Sequence, residues 1–399
     1  MDKTIINFYY QNGLLFNFPE NQKLIVDGTN SKVSLKAKSI VSHAHSDHFA
    51  IMNSNLETYT THETIDLFLC QKAAKHDTNF HAKPMNEEFQ ISLGQKDVDV
   101  SFVSSGHILG SASVAITHED NTILFSSDIG GKGLLTVNKP LETLNADILI
   151  VEATFGSPEL HFPPREEISM DILNWSAQVI KEKRNIVFSA GKIGSAQELI
   201  KLFNDLTNLR IVTHGDVTPV CEIYKKYGVD IEFVDSKSEE GREYLKDGEC
   251  VIIQSRSKKT VPFFMKEHIK TRSAIVTGMA SRFRYKDFDA SFPLSSHANY
   301  NEIIDYISDI SPEMIFTIYG FDKKLANAIT RELNIPALPL KEKSPVQSYE
   351  DISNLNYQKK QPKIVQPSSF KEKVERETEI PDEIKKAKTL DDFFKINEQ

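Results

Sequence analysis

The stretch Ser42-His43-Ala44-His45-Ser46-Asp47-His48 crowds three imidazoles and a carboxylate into seven residues. Zinc accepts nitrogen and oxygen donors of these kinds at about 2.0–2.2 Å. A tight loop can gather such side chains around one point, whereas a regular strand sends successive side chains to opposite faces. A metal site needs further donors, and two stand where strands are expected to end. One is His107, in Ser105-Gly106-His107-Ile108-Leu109-Gly110-Ser111; the other is Asp128, in Ser126-Ser127-Asp128-Ile129-Gly130. The neighbouring glycines allow backbone to approach an ion or a phosphate closely. An ordered set of this kind points to metal-assisted hydrolysis. His62, His76, His81, His118, His161 and His268 stand alone and read as surface or packing residues. Cys70, Cys221 and Cys250 are far apart and form no C-x-x-C pair, so the donors must be imidazoles and carboxylates rather than thiolates.

The elements that position these residues read as two patterns. Before about residue 151 the chain alternates short strands and turns, with strands expected over 39–42, 98–104, 113–117, 122–126 and 148–151 and a helix near 61–74. After about residue 165 helices alternate with strands: helices through 175–183, 196–203 and 220–227, and strands over 185–189, 209–213, 250–254 and 274–277. That alternation implies a parallel sheet flanked by helices. A helix through 300–307, a strand at 314–318 and a helix at 323–333 then complete the first unit. The chain of 399 residues is long enough for one large domain with an insertion. The expected divisions are 1–160, an insertion over 161–288, a return segment over 289–340, and a tail over 341–399 whose balanced charge and lost periodicity read as disorder.

The net charge of -9 disfavours a nucleic-acid binder, but its distribution does not. Between 251 and 290 nine Lys or Arg face three Asp or Glu, a stripe that includes Arg256, Lys258, Lys259, Arg282, Arg284 and Lys286. No apolar run reaches membrane-spanning length and no secretory leader is legible, so a soluble cytoplasmic protein without a membrane partner is expected.

With these residues in order, the chain resembles the metallo-β-lactamase-fold nucleases of the β-CASP group, which includes RNase J, the cleavage and polyadenylation endonuclease and the Artemis-like repair nucleases. Several stretches look most similar to the exonucleases associated with DNA ligases: Glu152-Ala153-Thr154-Phe155-Gly156 with Phe162-Pro163-Pro164, Gly191-Lys192 with Ser195-Ala196-Gln197, and Thr213-His214-Gly215. The resemblance covers about 13–335 and implies an αββα metallo-β-lactamase sandwich carrying an inserted α/β β-CASP domain. It makes His43, His45 and His107 ligands of one zinc, Asp47 and His48 ligands of a second, and Asp128 the bridge. Glu152 takes the acidic position that opens the insertion, and His297, in Ser295-Ser296-His297-Ala298-Asn299, the histidine that closes it and contacts the scissile phosphate or leaving group. One departure stands out: where the group usually supplies a final His-Gly, this chain has Tyr319-Gly320, so the second metal site is expected to be weaker and open to Mn or Mg.

The resemblance implies a metal-dependent phosphodiesterase in which activated hydroxide attacks phosphorus, Asp47 orients the nucleophile, His297 donates a proton to the departing sugar oxygen, and Glu152 fixes a neighbour's tautomer. Arg282 and Arg284, shortly before His297, and Lys192 are expected to contact phosphates. In the tail, Ala387-Lys388-Thr389-Leu390-Asp391-Asp392-Phe393-Phe394 resembles the sliding-clamp (PCNA) interaction motif, with Leu390, Phe393 and Phe394 as the anchors. A clamp partner implies DNA, so the leading expectation is a 5′-3′ DNA exonuclease of repair or replication. The alternatives are an RNA-processing nuclease of the same fold and a catalytically impaired nucleic-acid-binding protein.

Overall fold

Short β-branched and aromatic runs separated by turns pair into two seven-stranded sheets. The computed structural model describes residues 4–29, 36–71, 79–118, 121–256, 271–340 and 346–348. The first sheet holds β1 (Thr4–Tyr10), β2 (Leu14–Asn17), β3 (Lys23–Val26), β4 (Ala37–Ile40), β5 (Thr58–Thr60) and β6 (Phe80–Ala82). The second begins with β7 (Glu88–Leu93), β8 (Lys96–Ser104), β9 (Ala112–His118), β10 (Asn121–Phe125) and β11 (Ile148–Glu152). The inner faces meet in a core that includes Phe8, Phe16, Phe102, Val114, Phe125, Ile150 and Phe316. The outer face of the first sheet packs on α1 (His62–Gln71) through Phe68, beside Phe49 and Met52.

After β11 the chain leaves this sandwich. It runs through α2 (Arg165–Lys181), β12 (Asn185–Ala190), α3 (Ser195–Leu206), β13 (Arg210–His214), α4 (Val217–Lys226), β14 (Val234–Asp235), α5 (Glu239–Asp247), β15 (Cys250–Ser255), β16 (Thr271–Val276) and β17 (Ala290–Phe292). These strands form a six-stranded parallel sheet in the order β14-β13-β15-β12-β16-β17. β15 lies between β13 and β12 and all six of its residues are buried, the near-continuous burial of a parallel strand covered on both faces. β17 extends this sheet past 288, with Ala290 opposite Ala274.

The chain then returns through α6 (Tyr300–Ile310), β18 (Met314–Ile318), α7 (Asp322–Glu332) and β19 (Ala337–Pro339), and β20 (Val346–Ser348) pairs with β1. β18 lies parallel to β11 with Glu152 opposite Ile318, so the two chain segments that flank the third sheet become neighbours in the second. α6 and α7 cover its outer face through Ile303, Ile307, Leu325 and Ile329, which completes the αββα order. Ala44, Leu67, Ile108 and Leu109 are continuous with the core of the third sheet, and each Leu or Ile side chain buried there contributes about 1.5–3 kcal/mol. The loops that carry the chemistry are therefore clamped between the two layers. Among the described residues no helix is long and apolar enough to cross a membrane.

Candidate metal centre

The site grows from strand ends. β3 leads into Asp27, β4 into the His43–His48 loop, β8 into His107 and β10 into Asp128. Asp128 is buried, and its Oδ2 is the hub: the Nε2 atoms of His43, His48, His107 and His297 lie 3.4, 3.5, 3.7 and 3.9 Å from it. The donor atoms of His43, His45, His107 and Asp128 all lie within 4.8 Å of one another.

The outer nitrogen of every one of these rings is held by an oxygen. His45 Nε2 lies 3.3 Å from the carbonyl of Ile193 and His107 Nδ1 lies 3.3 Å from that of Ser296. His48 Nδ1 lies 2.8 Å from Asp27 Oδ2 and His297 Nδ1 lies 3.2 Å from Glu152 Oε1. The Ser127 hydroxyl donates to Ser42 and the Ser42 hydroxyl to Asp27, so both leave only lone pairs for His43 Nδ1. The tautomers follow from these partners. Each outer nitrogen carries a hydrogen, and the inner nitrogens of His43, His45 and His107 present lone pairs to the centre. His45 Nδ1 faces His43 Nε2 at 3.1 Å and His107 Nε2 at 3.2 Å. Lone pairs that close repel unless a cation lies among them, and tetrahedral donors about 2.1 Å from zinc stand about 3.4 Å apart. The donor set and its spacing fit a divalent metal.

Electrostatics sort the rings. Burial, with the His43 ring beside it, lowers His45 to about 3, and burial together with His297 holds His107 well below the usual range. Burial opposes charge on His48 as well, but Asp128 and Asp27 raise it well above its ordinary value. Burial likewise works against charge on Asp128, yet His48 and His297 hold its carboxyl well below the carboxylate range. For His297 burial lowers the pKa, while the charges of Glu152 and Asp128 outweigh it and bring it to about 9.

His297 is positioned from both sides of the fold. Gly130 forms an antiparallel bridge with it, Ala298 N–H donates to Ile129, and the capping box of Asn299 and Glu302 starts α6 immediately after. Buried Glu152 accepts from the N–H groups of Ile129 and Thr154 as well as from His297. A cleft of about 680 Å³ opens over the cluster. Asp47 lines it, but its side chain is 80% exposed and its carboxylate is 3.8 Å from His48 Nε2. Tyr319 lines it too, with its ring 5.8 Å from that of His48. The far wall is made by the carboxyl ends of the inserted parallel strands: Lys192 after β12 and Arg256 after β15, where Arg256 Nη1 donates to Thr277 at 2.7 Å. Carboxyl ends of parallel strands are where open α/β sheets take ligands. Arg282 lies instead in a side groove, and Arg284 is exposed close by in the chain. Lys258, Lys259, Leu390, Phe393 and Phe394 lie outside the described residues.

Asp27 was missing from the expected site. Its carboxylate accepts from Ser42 N–H at 2.8 Å, from the Ser42 hydroxyl and from His48 Nδ1, which makes it the residue that orients His48. The one available signal was an acidic residue ending the apolar strand Leu24-Ile25-Val26.

Two facing sheets with outer helices, a parallel sheet inserted between β11 and β18, and an imidazole–carboxylate cluster at the strand ends define the metallo-β-lactamase fold with an inserted domain. The fold, the site and the relatives fit the β-CASP group of that fold. It is similar to the protein named "Probable DNA ligase" of Opitutus terrae, with 27% identity over 308 residues that span 75% of this chain and 28% of the relative. It is also similar to the "RNase J-like protein" of Methanocaldococcus jannaschii, with 29% identity over 213 residues, 47% of this chain and 49% of the relative. The chain thus spans half or less of the length of these relatives. A crystal structure of a protein of unknown function from Enterococcus faecalis shares the fold at a TM-score of 0.57 and 14% identity, over 86% of this chain and all of that one. No family model matches the chain.

Proposed function

We propose that this protein is a metal-dependent nuclease that hydrolyses phosphodiester bonds, in a catalytic unit of residues 1–160 and 293–340 with a substrate-gripping insertion over 161–292. The observation that carries the reading is the Asp128 Oδ2 atom surrounded by four imidazole Nε2 atoms at 3.4–3.9 Å, in a cleft whose opposite wall bears Lys192 and Arg256. The donors fit two divalent ions, read as zinc with a weaker second site that also takes Mn or Mg, and such ions activate water and neutralise charge on the phosphate. His43, His45 and His107 would hold the first. His48 and Asp47 would hold the second, with Asp128 between them.

The chain's own groups supply the rest. Glu152 keeps the hydrogen on His297 Nδ1 and aims Nε2 into the cleft, where it serves the departing sugar oxygen. Asp47, exposed and next to His48, orients the attacking water. Lys192 and Arg256 take the flanking phosphates. Similarity to a protein named as a DNA ligase, and the clamp-like Leu390, Phe393 and Phe394, favour a 5′-3′ DNA exonuclease acting in repair or replication. Similarity to an RNase J-like protein favours the second reading, an RNA-processing enzyme.

The test is a time course with 5′- and 3′-labelled single-stranded DNA and RNA of one sequence, in Zn²⁺, Mn²⁺ or Mg²⁺, beside Asp47→Ala and His297→Ala. Loss of DNA from one end, abolished in Asp47→Ala, is the expected result and fixes polarity. Preference for RNA selects the second reading. Cleavage of neither strand overturns both and leaves a binding protein. In parallel, replacing Phe393 and Phe394 by Ala should abolish co-elution with a purified sliding clamp and leave cleavage unchanged.

A further inference from the structure

Beside the cleft, aromatic rings and cations alternate. Phe283 is 49% exposed, and its N–H donates to Met279 so that its backbone is fixed. The Arg282 guanidinium sits 5.5 Å from the Phe283 ring and 5.9 Å from that of Phe321, and Lys324 Nζ lies 5.8 Å from Phe321 on. Arg282 makes no ion pair or hydrogen bond through its side chain among the described residues, while Lys324 is paired with Glu159. The two cations and Phe321 border a shallow groove of about 160 Å³.

Both legs of this surface spring from the walls of the metal centre. Phe321 follows Tyr319 by two residues, and Tyr319 lines the cleft. The turn that carries Arg282 and Phe283 begins at Gly278, where a Cβ would come within 2.5 Å of the Phe155 ring and 3.0 Å of Ser295. The Phe155 ring in turn lies 5.8 Å from that of His297. The turn is thus tied through Phe155 to His297, and on it Arg282 is held between two rings with Phe283 open to solvent.

An exposed ring, Phe283, and a half-buried one, Phe321, beside cations suit one class of ligand. Unpaired bases stack on aromatic faces whatever their sequence, while guanidinium groups take the phosphates between them. A duplex keeps its base faces stacked inside and offers phosphates, sugars and base edges instead. We infer that this rim is a stacking platform for single-stranded polynucleotide, with bases on Phe283 and Phe321 and phosphates on Arg282 and Arg284. The inference rests on the reading of the cleft as a nuclease site and names the strandedness of its substrate.

The experiment measures binding of fluorescein-labelled DNA and RNA single strands of about 20 nucleotides, longer than the span of one such platform, and of the blunt duplex. It uses the full chain carrying Asp47→Ala, with and without Phe283→Ala or Phe283→Trp. Phe283→Ala is expected to weaken single-strand binding about tenfold and to leave duplex binding unchanged, and Phe283→Trp to keep it. A loss confined to DNA or to RNA supports the inference and names the sugar. Equal loss on single strand and duplex, or no loss on either, overturns it. Cleavage by the wild type with an indifferent Phe283→Ala rejects the platform and keeps the nuclease reading; a selective loss without wild-type cleavage does the reverse.

Discussion

At the scale of single residues, the centre depends on what holds the far side of each ring. Asp27 shows this most simply. Its two oxygens accept from Ser42 N–H, the Ser42 hydroxyl and His48 Nδ1. In Asp27→Asn one oxygen becomes an NH₂ donor, which either opposes the Ser42 N–H or forces His48 to carry its hydrogen on Nε2, away from Asp27 and towards the centre. The expected result is a 10–100-fold loss of metal affinity, about the effect of removing such orienting partners elsewhere. Competition with a chelator of known affinity measures it; unchanged affinity would show that His48 needs no orientation. Glu152→Gln makes the matching change behind His297. Its side chain is fully buried between three donors, so the new NH₂ must face an N–H. We expect a stability loss of about 1–3 kcal/mol by urea unfolding and a fall in cleavage rate of about 10²-fold or more. A variant with full activity would remove Glu152 from the mechanism.

At the scale of elements, the loops after β8 and β10 must cross with no room to spare. A Cβ on Gly130 would fall 1.8 Å from the Gly106 carbonyl oxygen, and Gly130 also forms the backbone bridge to His297. Gly130→Ala should therefore cost at least about 2 kcal/mol through overpacking, and it should reduce cleavage further than an equally destabilising substitution remote from the cleft. Equal losses would mean that the bridge does not place His297.

The same scale shows what could be read beforehand. The strand expected at 314–318 is β18 to the residue, because a short apolar run bounded by polar turns has one reading. α2 begins ten residues before the expected helix: Pro164 occupies its N-cap and Glu166 and Glu167 its first turn, so its polar opening lies outside the apolar periodicity. α5 gave no signal: in Glu-Glu-Gly-Arg-Glu-Tyr-Leu-Lys-Asp only Gly241 and Leu245 are buried, so it lacks an apolar stripe and depends on its Ser238 cap and its packing on the third sheet. The candidate site was legible where order along the chain carries it, as with His43, His45, His107 and Asp128, which the fold brings together. Asp27 was not legible, because nothing in the spacing of a lone acidic residue announces a partner 21 residues away.

For the whole molecule, the relation between sandwich and insertion sets the cleft. Glu198 on α3, buried, accepts from the backbone of Leu135 and Thr136 and from Arg165, pinning the loop beyond Asp128 to the inserted layer. A second clasp is more exposed: Asp66 on α1 accepts from Lys226 Nζ at 2.6 Å and from the Tyr227 hydroxyl at 2.5 Å, both at the end of α4. Partial burial pushes the Asp66 carboxyl up, but Lys226, Tyr227 and the nearby His62 outweigh it and hold it below the usual range. A carboxyl whose folded value is depressed contributes stability above its unfolded pKa of about 3.9, and that contribution is lost as pH falls through the folded value. Because Lys226 is 59% exposed, solvent screening limits the contribution to about 0.5–1 kcal/mol. Asp66→Asn should thus unfold at lower urea than the wild type at pH 7, and the gap should shrink as pH drops towards 4 and below. A gap that stays constant or widens on acidification would mean that packing between α1 and α4, and not this ion pair, holds the two layers at the width the cleft requires.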